Sequence, residues 1–341
     1  MKLFSNITKT FNRSVGIDLG SANTRIWVEE KGLLLSEPTL IAVDQSNNRV
    51  IAVGKQAAQM KGRADSSIKV FSPVQAPKFT DEQLLKAMLK LFLAKVSNQV
   101  YFFSPTILVS LSGSFYPSMK QVLTKVLIEL GAGEVMLINQ ALAAAIGAGV
   151  PMTDSSGSFV LQLGAGVVEV AGLSLGKVVD YAYCNQGGLL LSEEIIYWFA
   201  TTHKLKISEA IALKVLEQAG TLEKDEKRSI KVVGVDVKSG EPVEKIVFSD
   251  QLMEVLAEFG QGYLKLIKGM LSTASPDLTI DILDKGLFLS GGLAQLHGLE
   301  EYLTQGLKLP VFLTDEPELT VIKGVGVVLE HLDEFRQSLG Y

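Results

Sequence analysis

Two stretches of this chain carry the same short pattern, and the distance between them constrains the fold more than anything else in the sequence. Ile17-Asp-Leu-Gly-Ser-Ala-Asn-Thr24 and Leu161-Gln-Leu-Gly-Ala-Gly-Val-Val168 each read as a buried strand with one polar position, then Leu-Gly, a tight turn and a second strand. They lie 144 residues apart in a chain of 341. An internal repeat of that size predicts two similar α/β halves.

The periodicity on either side fits that plan. In the first cycle, Thr80-Asp-Glu-Gln83 is a capping-box pattern that opens a helix with Leu84, Leu85, Met88, Leu91, Phe92 and Val96 on one stripe. A buried strand around 106–111, a helix around 118–130 and a short strand around 135–138 lead into a small-residue helix at 141–149. The second cycle begins near Ser158. It includes a β-hairpin about Lys238-Ser-Gly-Glu241 and a long helix capped by Asp250. A strand at 286–290 then turns through Gly291-Gly292 into a helix expected to end near Gly306. The expected organisation is an amphipathic segment at 1–14 and a first half at 15–150 with an insertion at about 31–72. A second half follows at 151–341 with an insertion at about 186–249. The last helix, about 320–339, is expected to cross back to the first half.

Composition removes several classes. The apolar share of 47% supplies a sizeable core, and the net charge of −5 opposes a general nucleic-acid binder. One cysteine, Cys184, cannot form an intramolecular disulfide, and no Cys/His set has metal-ligand spacing. A reducing, cytoplasmic setting fits. No apolar run reaches the roughly 18–20 residues that span a bilayer, and the N-terminus has no signal-peptide pattern. A membrane surface is a different matter. Leu3, Phe4, Ile7 and Phe11 share one helical face, with Lys2, Lys9 and Arg13 elsewhere. That pattern suits an interfacial helix, a frayed tail or a short helix docked on the core.

A strand followed by a Gly-rich turn lets backbone N–H groups approach a phosphate. A carboxylate at the strand end, Asp18, would hold a hydrated Mg2+ beside it. Alone, the first segment is a hairpin as often as a phosphate loop. Paired with the second, and with the turn at Ser290–Leu293, it points to polyphosphate.

At this level of detail the chain resembles the actin–sugar kinase–DnaK superfamily in its MreB form. GIDLGSANTRIW (16–27) is similar to that family's first phosphate loop, and NQALAAAIGAGVP (139–151) to its IEEPMAAAIGAG stretch. GLFLSGGLAQLHGLEEYL (286–303) resembles its adenosine motif, and KGVGVVLEHLDEFR (323–336) its C-terminal helix. VIAVGKQAAQMKGR (50–63) matches too, so the similarity runs from about 15 to 336.

The resemblance implies an actin-like α/β fold, two halves around a nucleotide cleft, each with a smaller subdomain. It implies ATP or GTP with Mg2+ as cofactor. Asp18, Gly20, Ser21, Ala22, Asn23 and Thr24 would serve the first loop, and Gly164, Ala165 and Gly166 the second. Gly291, Gly292 and Leu293 would face the nucleoside, Gln140 would position water and Asp18 would hold the metal through water. The family's loop that dips an apolar pair into lipid corresponds to Phe102 and Phe103 here.

Departures run in one direction. The second loop of the family carries an Asp and a Gly-Gly-Gly-Thr-Thr run; here Gln162, Val167 and Val168 stand in it. Paired glutamates become Asn139 and Gln140, and an amide positions water without acting as a base. Gly-Gly-Asp-Glu becomes Gly187-Gly-Leu-Leu190, and the nucleoside-facing Lys and Glu align with Leu216 and Gln218. Each lost contact costs about 1–3 kcal/mol, so weakened nucleotide binding and slow or absent hydrolysis are expected.

The expected function is a head-to-tail filament at the inner face of the cytoplasmic membrane. It would organise cell shape with membrane proteins of cell-wall synthesis, and no nucleic acid would take part. Two rivals stand beside it, a small-molecule kinase of the superfamily and a non-polymerising scaffold. Glu169, Glu193 and Glu194 could approach the cleft but read by default as exposed-face carboxylates, His297 reads as a surface or cap residue and Cys184 as a small hydrophobe.

Overall fold

Strands buried on both faces must be apolar along their whole length, and this chain has several such runs. In the computed structural model, which describes residues 13–97, 104–151 and 156–336, they lie at the centres of two five-stranded sheets. The chain divides into two compact units. The first comprises 1–153 with 319–341, and the second 154–318.

In the first unit the sheet order is Glu134–Asn139, Thr106–Leu111, Val15–Leu19, Asn23–Val28, Gly32–Pro38. The first three strands are parallel, and the last two fold back antiparallel. In the second unit the order is Val311–Leu313, Leu287–Ser290, Ser158–Leu163, Val168–Ser174, Lys177–Cys184, with the same directions. The repeat seen in the sequence is thus a repeat of topology. It extends to single pairs. Asp18 lies opposite Arg25 and beside Ser110, while Gln162 lies opposite Glu169 and beside Ser290.

Each unit has its own core. Ile17, Leu19, Ile26, Leu85, Met88, Phe92 and Val109 pack together in the first. Leu161, Leu163, Val168, Phe199, Leu256 and Ile267 do so in the second. Burying each such side chain stabilises by roughly 1.5–3 kcal/mol. Helix Gln140–Gly147 packs against helix Thr320–Glu330 with the backbones almost touching. A Cβ on Gly147 would overlap the Thr320 carbonyl, and one on Gly324 the Ala143 carbonyl. This is why the stretch at 141–149 is mostly Ala and Gly.

Five sequence expectations shift. The helix of Glu82–Ser97 is capped by Asp81, whose Oδ1 accepts from Leu84 N–H at 2.9 Å, not by Thr80. Leu91 lies on its exposed side, 42% accessible. Asp250 lies inside the first turn of Ser249–Thr273, and Gln251 instead reaches back to the Phe248 N–H at 3.0 Å. Gly291-Gly292 opens a four-residue 3-10 turn, Gly292–Gln295, and the α-helix begins later, at Leu299. Gly298 at φ 73° breaks the chain between them, because it fits against the backbone of Leu222 and Glu223. The last helix stops at Glu330, where His331 leaves helical geometry, and one further turn follows at Leu332–Phe335.

Candidate functional site

The first turn is held from one side. Thr39 Oγ1 donates to Gly20 O at 2.7 Å, Thr39 N–H to Ala22 O at 2.8 Å and Ser72 Oγ to Ser21 O at 3.0 Å. A trans peptide points its N–H opposite to its C=O. With those three carbonyls fixed on the protein side, the N–H groups of Ser21 and Ala22 face the other way, in a half-exposed turn. Gly20 N–H closes the turn on Asn23 O at 3.1 Å, and a Cβ on Gly20 would sit 2.8 Å from that oxygen.

The second turn repeats the construction with different parts. Gly164 N–H closes on Val167 O at 3.1 Å, and a Cβ on Gly164 would sit 2.7 Å from it. Gly164 O accepts from Gly188 N–H at 3.1 Å and Ala165 O from Leu189 N–H at 2.9 Å, both at the start of helix Gly188–Thr202. The N–H groups of Ala165 and Gly166 therefore face away from that helix. Paired N–H groups presented this way suit an oxyanion.

Thr24 is the exception among the predicted contacts. It is fully buried, and its Oγ1 lies 2.8 Å from Thr39 Oγ1, in the chain of hydroxyls that ends on Gly20 O. Its hydroxyl fixes the loop from beneath. Val168, at the equivalent position, is equally buried in the core, which is why a valine serves there.

Asp18 is 3% exposed and both its oxygens are engaged. Oδ1 accepts from Ser110 Oγ at 2.9 Å and from Gln140 Nε2 at 2.9 Å, and Oδ2 faces Arg25 at 3.2 Å. Gln140 is placed there by the helix it begins, which Asn139 caps by accepting from Ala141 and Leu142 N–H. Arg25 was not singled out from the sequence. The signal was present, because across a tight turn a charge seven residues after Asp18 falls opposite it.

The glycine pair at 291–292 belongs to the same unit as the second turn and packs on it. Gly291, at φ 96°, lies so close to Leu163 that a Cβ would sit 2.6 Å from its carbonyl carbon. Its N–H donates to Pro317 O at 2.7 Å. Gly292 is exposed and Leu293 half-buried. Where a helix was expected directly after the glycines, the four-residue 3-10 turn offers no helix N-terminus for an anion.

Other candidates take plainer roles. Glu169 is buried and bonded by the Tyr181 hydroxyl. Glu193 and Glu194 lie on the exposed side of their helix. Leu190 and Leu216 pack on the second core, and Gln218 is exposed. Burial pushes the Cys184 thiol up, against a nucleophilic role. His297 Nδ1 lies 2.7 Å from Glu226 and 3.2 Å from Thr221, and so clasps loop 221–228. Glu223, Glu226 and His297 place three ligand atoms within 4.8 Å of one another, a cluster not foreseen from the sequence because His297 lies far along the chain from the two glutamates. Leu3, Phe4, Ile7, Phe11, Phe102 and Phe103 lie outside the described residues. Among the described residues, no helix is long and apolar enough to cross a membrane.

The comparisons with known proteins agree with one another. Residues 12–337 match the family model described as MreB/Mbl protein. The chain is 32% identical over 324 residues to the cell shape-determining protein Mbl of Bacillus cereus, covering 95% of this chain and 97% of Mbl. It is 33% identical over 329 residues to the cell shape-determining protein MreB of Escherichia coli strain K12, covering 95% of each. Among solved structures, MreB 5 of Spiroplasma citri bound to AMPPNP superposes with a TM-score of 0.91 at 24% identity, covering 96% of this chain and 98% of that one. The MamK double helical filament gives 0.78 at 15% identity, covering 94% and 99%. The fold is actin-like.

Proposed function

This chain belongs to the MreB/Mbl family, and from that premise we propose that it is a cytoskeletal protein that binds a nucleoside triphosphate and assembles into membrane-associated filaments. The observation that carries the reading is the matched pair of turns. Ser21 and Ala22 in one unit, and Ala165 and Gly166 in the other, present backbone N–H groups away from carbonyls that are already held. One such turn is common in proteins. Here the same construction recurs at equivalent positions of a duplicated topology, and each turn by itself suits the oxygens of a phosphate group.

Support for assembly comes from the relatives. The Bacillus cereus and Escherichia coli proteins are named for determining cell shape, and MamK is seen as a double helical filament. A filament needs a heterologous interface repeated along the chain of subunits. Weak membrane contacts at the N-terminal segment and at Phe102 and Phe103 would add up along it through avidity. The expected address is the inner face of the cytoplasmic membrane, with membrane proteins of cell-wall synthesis as partners.

In this reading Ser21, Ala22, Ala165 and Gly166 bind phosphate oxygens through their N–H groups. Gln140 keeps Nε2 on Asp18 and leaves its carbonyl to orient a water. An amide takes no proton, and position 162, opposite Glu169, is an amide as well. Turnover is therefore slow. The same absence of a base speaks against the kinase rival, which needs a carboxylate to deprotonate its acceptor hydroxyl.

Sedimentation with vesicles containing anionic lipid, with and without ATP, tests the proposal. ATP-dependent pelleting, filaments in electron micrographs of the pellet and little phosphate release are expected. A chain that stays monomeric with ATP and lipid under all conditions would leave the scaffold reading in its place. Brisk phosphate release coupled to assembly would sink the assignment of Gln140 as a weak water-positioning group.

A further inference from the structure

A divalent ion is the usual companion of a bound triphosphate, and the residues here do not fit one. Asp18 is the carboxylate that would hold it. Its Oδ1 already accepts two hydrogen bonds, from Ser110 and Gln140, and its Oδ2 is paired with Arg25. The carboxylate is 4% exposed and the guanidinium 12%, so water screens the pair little. A dication brought to Asp18 would meet a fixed positive charge already there, with a net negative charge of zero on the pair to attract it.

Arg25 itself is not saturated. A guanidinium has five N–H donors in a fixed fork. One nitrogen faces Asp18, while Nε is buried and meets no acceptor among the described residues. A buried donor without an acceptor is uncommon and marks a place where one is wanted. The strand that carries Arg25 starts from the turn that presents the Ser21 and Ala22 N–H groups. Asp18 holds the guanidinium on strand Val15–Leu19, which leads into the same turn.

From these contacts we propose that Arg25 is the resident cation of the phosphate site, and that this chain binds nucleoside triphosphate without a divalent metal. The proposal rests on the nucleotide-binding reading given above. The terminal N–H donors of the guanidinium meet phosphate oxygens, a planar fork being well matched to such groups. The Asp18, Ser110 and Gln140 cluster serves as the bracket that aims it. The Mg2+ expected from the family resemblance is then dispensable, because its charge is supplied by the chain.

The test is a titration of the full-length protein with ATP, followed by calorimetry, in excess EDTA and in excess Mg2+. For the wild type, the two dissociation constants are expected to agree within about threefold. Arg25→Leu frees Asp18, so binding in EDTA is expected to fall at least tenfold and Mg2+ to restore part of it. Arg25→Lys keeps the charge and loses the fork, and is expected to lie between. Should Arg25→Leu not fold, Arg25→Leu with Asp18→Asn keeps the charge balanced. That pair is expected to bind weakly with or without Mg2+. Wild-type binding that vanishes in EDTA and returns with Mg2+ would overturn the proposal and leave the nucleotide reading standing. No binding in either buffer would overturn both.

Discussion

Gly324→Ala is expected to melt the first unit about 6–12 °C below the wild type. The obstacle is a lack of space. A Cβ at 324 would overlap the Ala143 carbonyl, and the facing Gly147 has the same relation to the Thr320 carbonyl. These are backbone atoms of two packed helices, so no rotamer change makes room. The helices must part or slide. Overpacking of a tight core costs typically 1–3 kcal/mol, and the upper end or more applies where backbone is the obstacle. Alanine returns up to about 1 kcal/mol in helix propensity. A net loss near 3 kcal/mol corresponds to the stated shift for a unit of this size. Gly269→Ala is the control with the opposite sign. Gly269 lies exposed in helix Ser249–Thr273 with nothing within 4 Å of its Cβ position. There only the propensity term operates, and a slight gain in stability is expected. Differential scanning calorimetry of the three proteins decides it. Equal melting of Gly324→Ala and wild type would mean that the two helices are not seated backbone to backbone.

The same helix pair shows what a sequence can and cannot reveal. The run of alanines and glycines at 141–149 predicts a close neighbour, because nothing else requires such small side chains. It does not say which element that neighbour is, since Thr320–Glu330 lies far along the chain. The doubled turn was legible for a related reason. Its signal is local, a few residues of strand, glycine and strand, and the repeat distance turned two weak signals into one topology. What escaped the sequence reading was set by contacts across strands. Thr24 looks like a phosphate-binding hydroxyl until Thr39 is found beside it. Asp18 looks like a metal carboxylate until Ser110, Gln140 and Arg25 are found on it. Only Arg25 could have been placed in advance, by counting across the turn. Ser110 and Gln140 arrive from 92 and 122 residues away.

That cluster leads to the second large effect. Asp18→Ala removes the partner of a guanidinium that is 12% exposed. Breaking a buried ion pair from one side costs about 3–5 kcal/mol, because the remaining charge stays desolvated. Removing both charges is a different event. In Asp18→Ala with Arg25→Leu no charge is stranded, and what remains is the lost acceptor for Ser110 and Gln140, about 1–3 kcal/mol. The double variant is therefore expected to be more stable than the single Asp18→Ala by about 2 kcal/mol, and urea unfolding of both reads the difference. If the two unfold alike, Arg25 and Asp18 are not paired in solution. ATP adds a second reading of the same energy. A ligand that binds only the folded state at a hundred times its dissociation constant stabilises by about 2.7 kcal/mol. In Asp18→Ala the phosphate would also supply the negative charge that Arg25 lacks. ATP in EDTA is thus expected to raise the melting temperature of Asp18→Ala by more than it raises that of the wild type. For the double variant, which has no guanidinium to neutralise, the rise is expected to be the smallest of the three. A rise of the same size in all three would show that the nucleotide never meets Arg25.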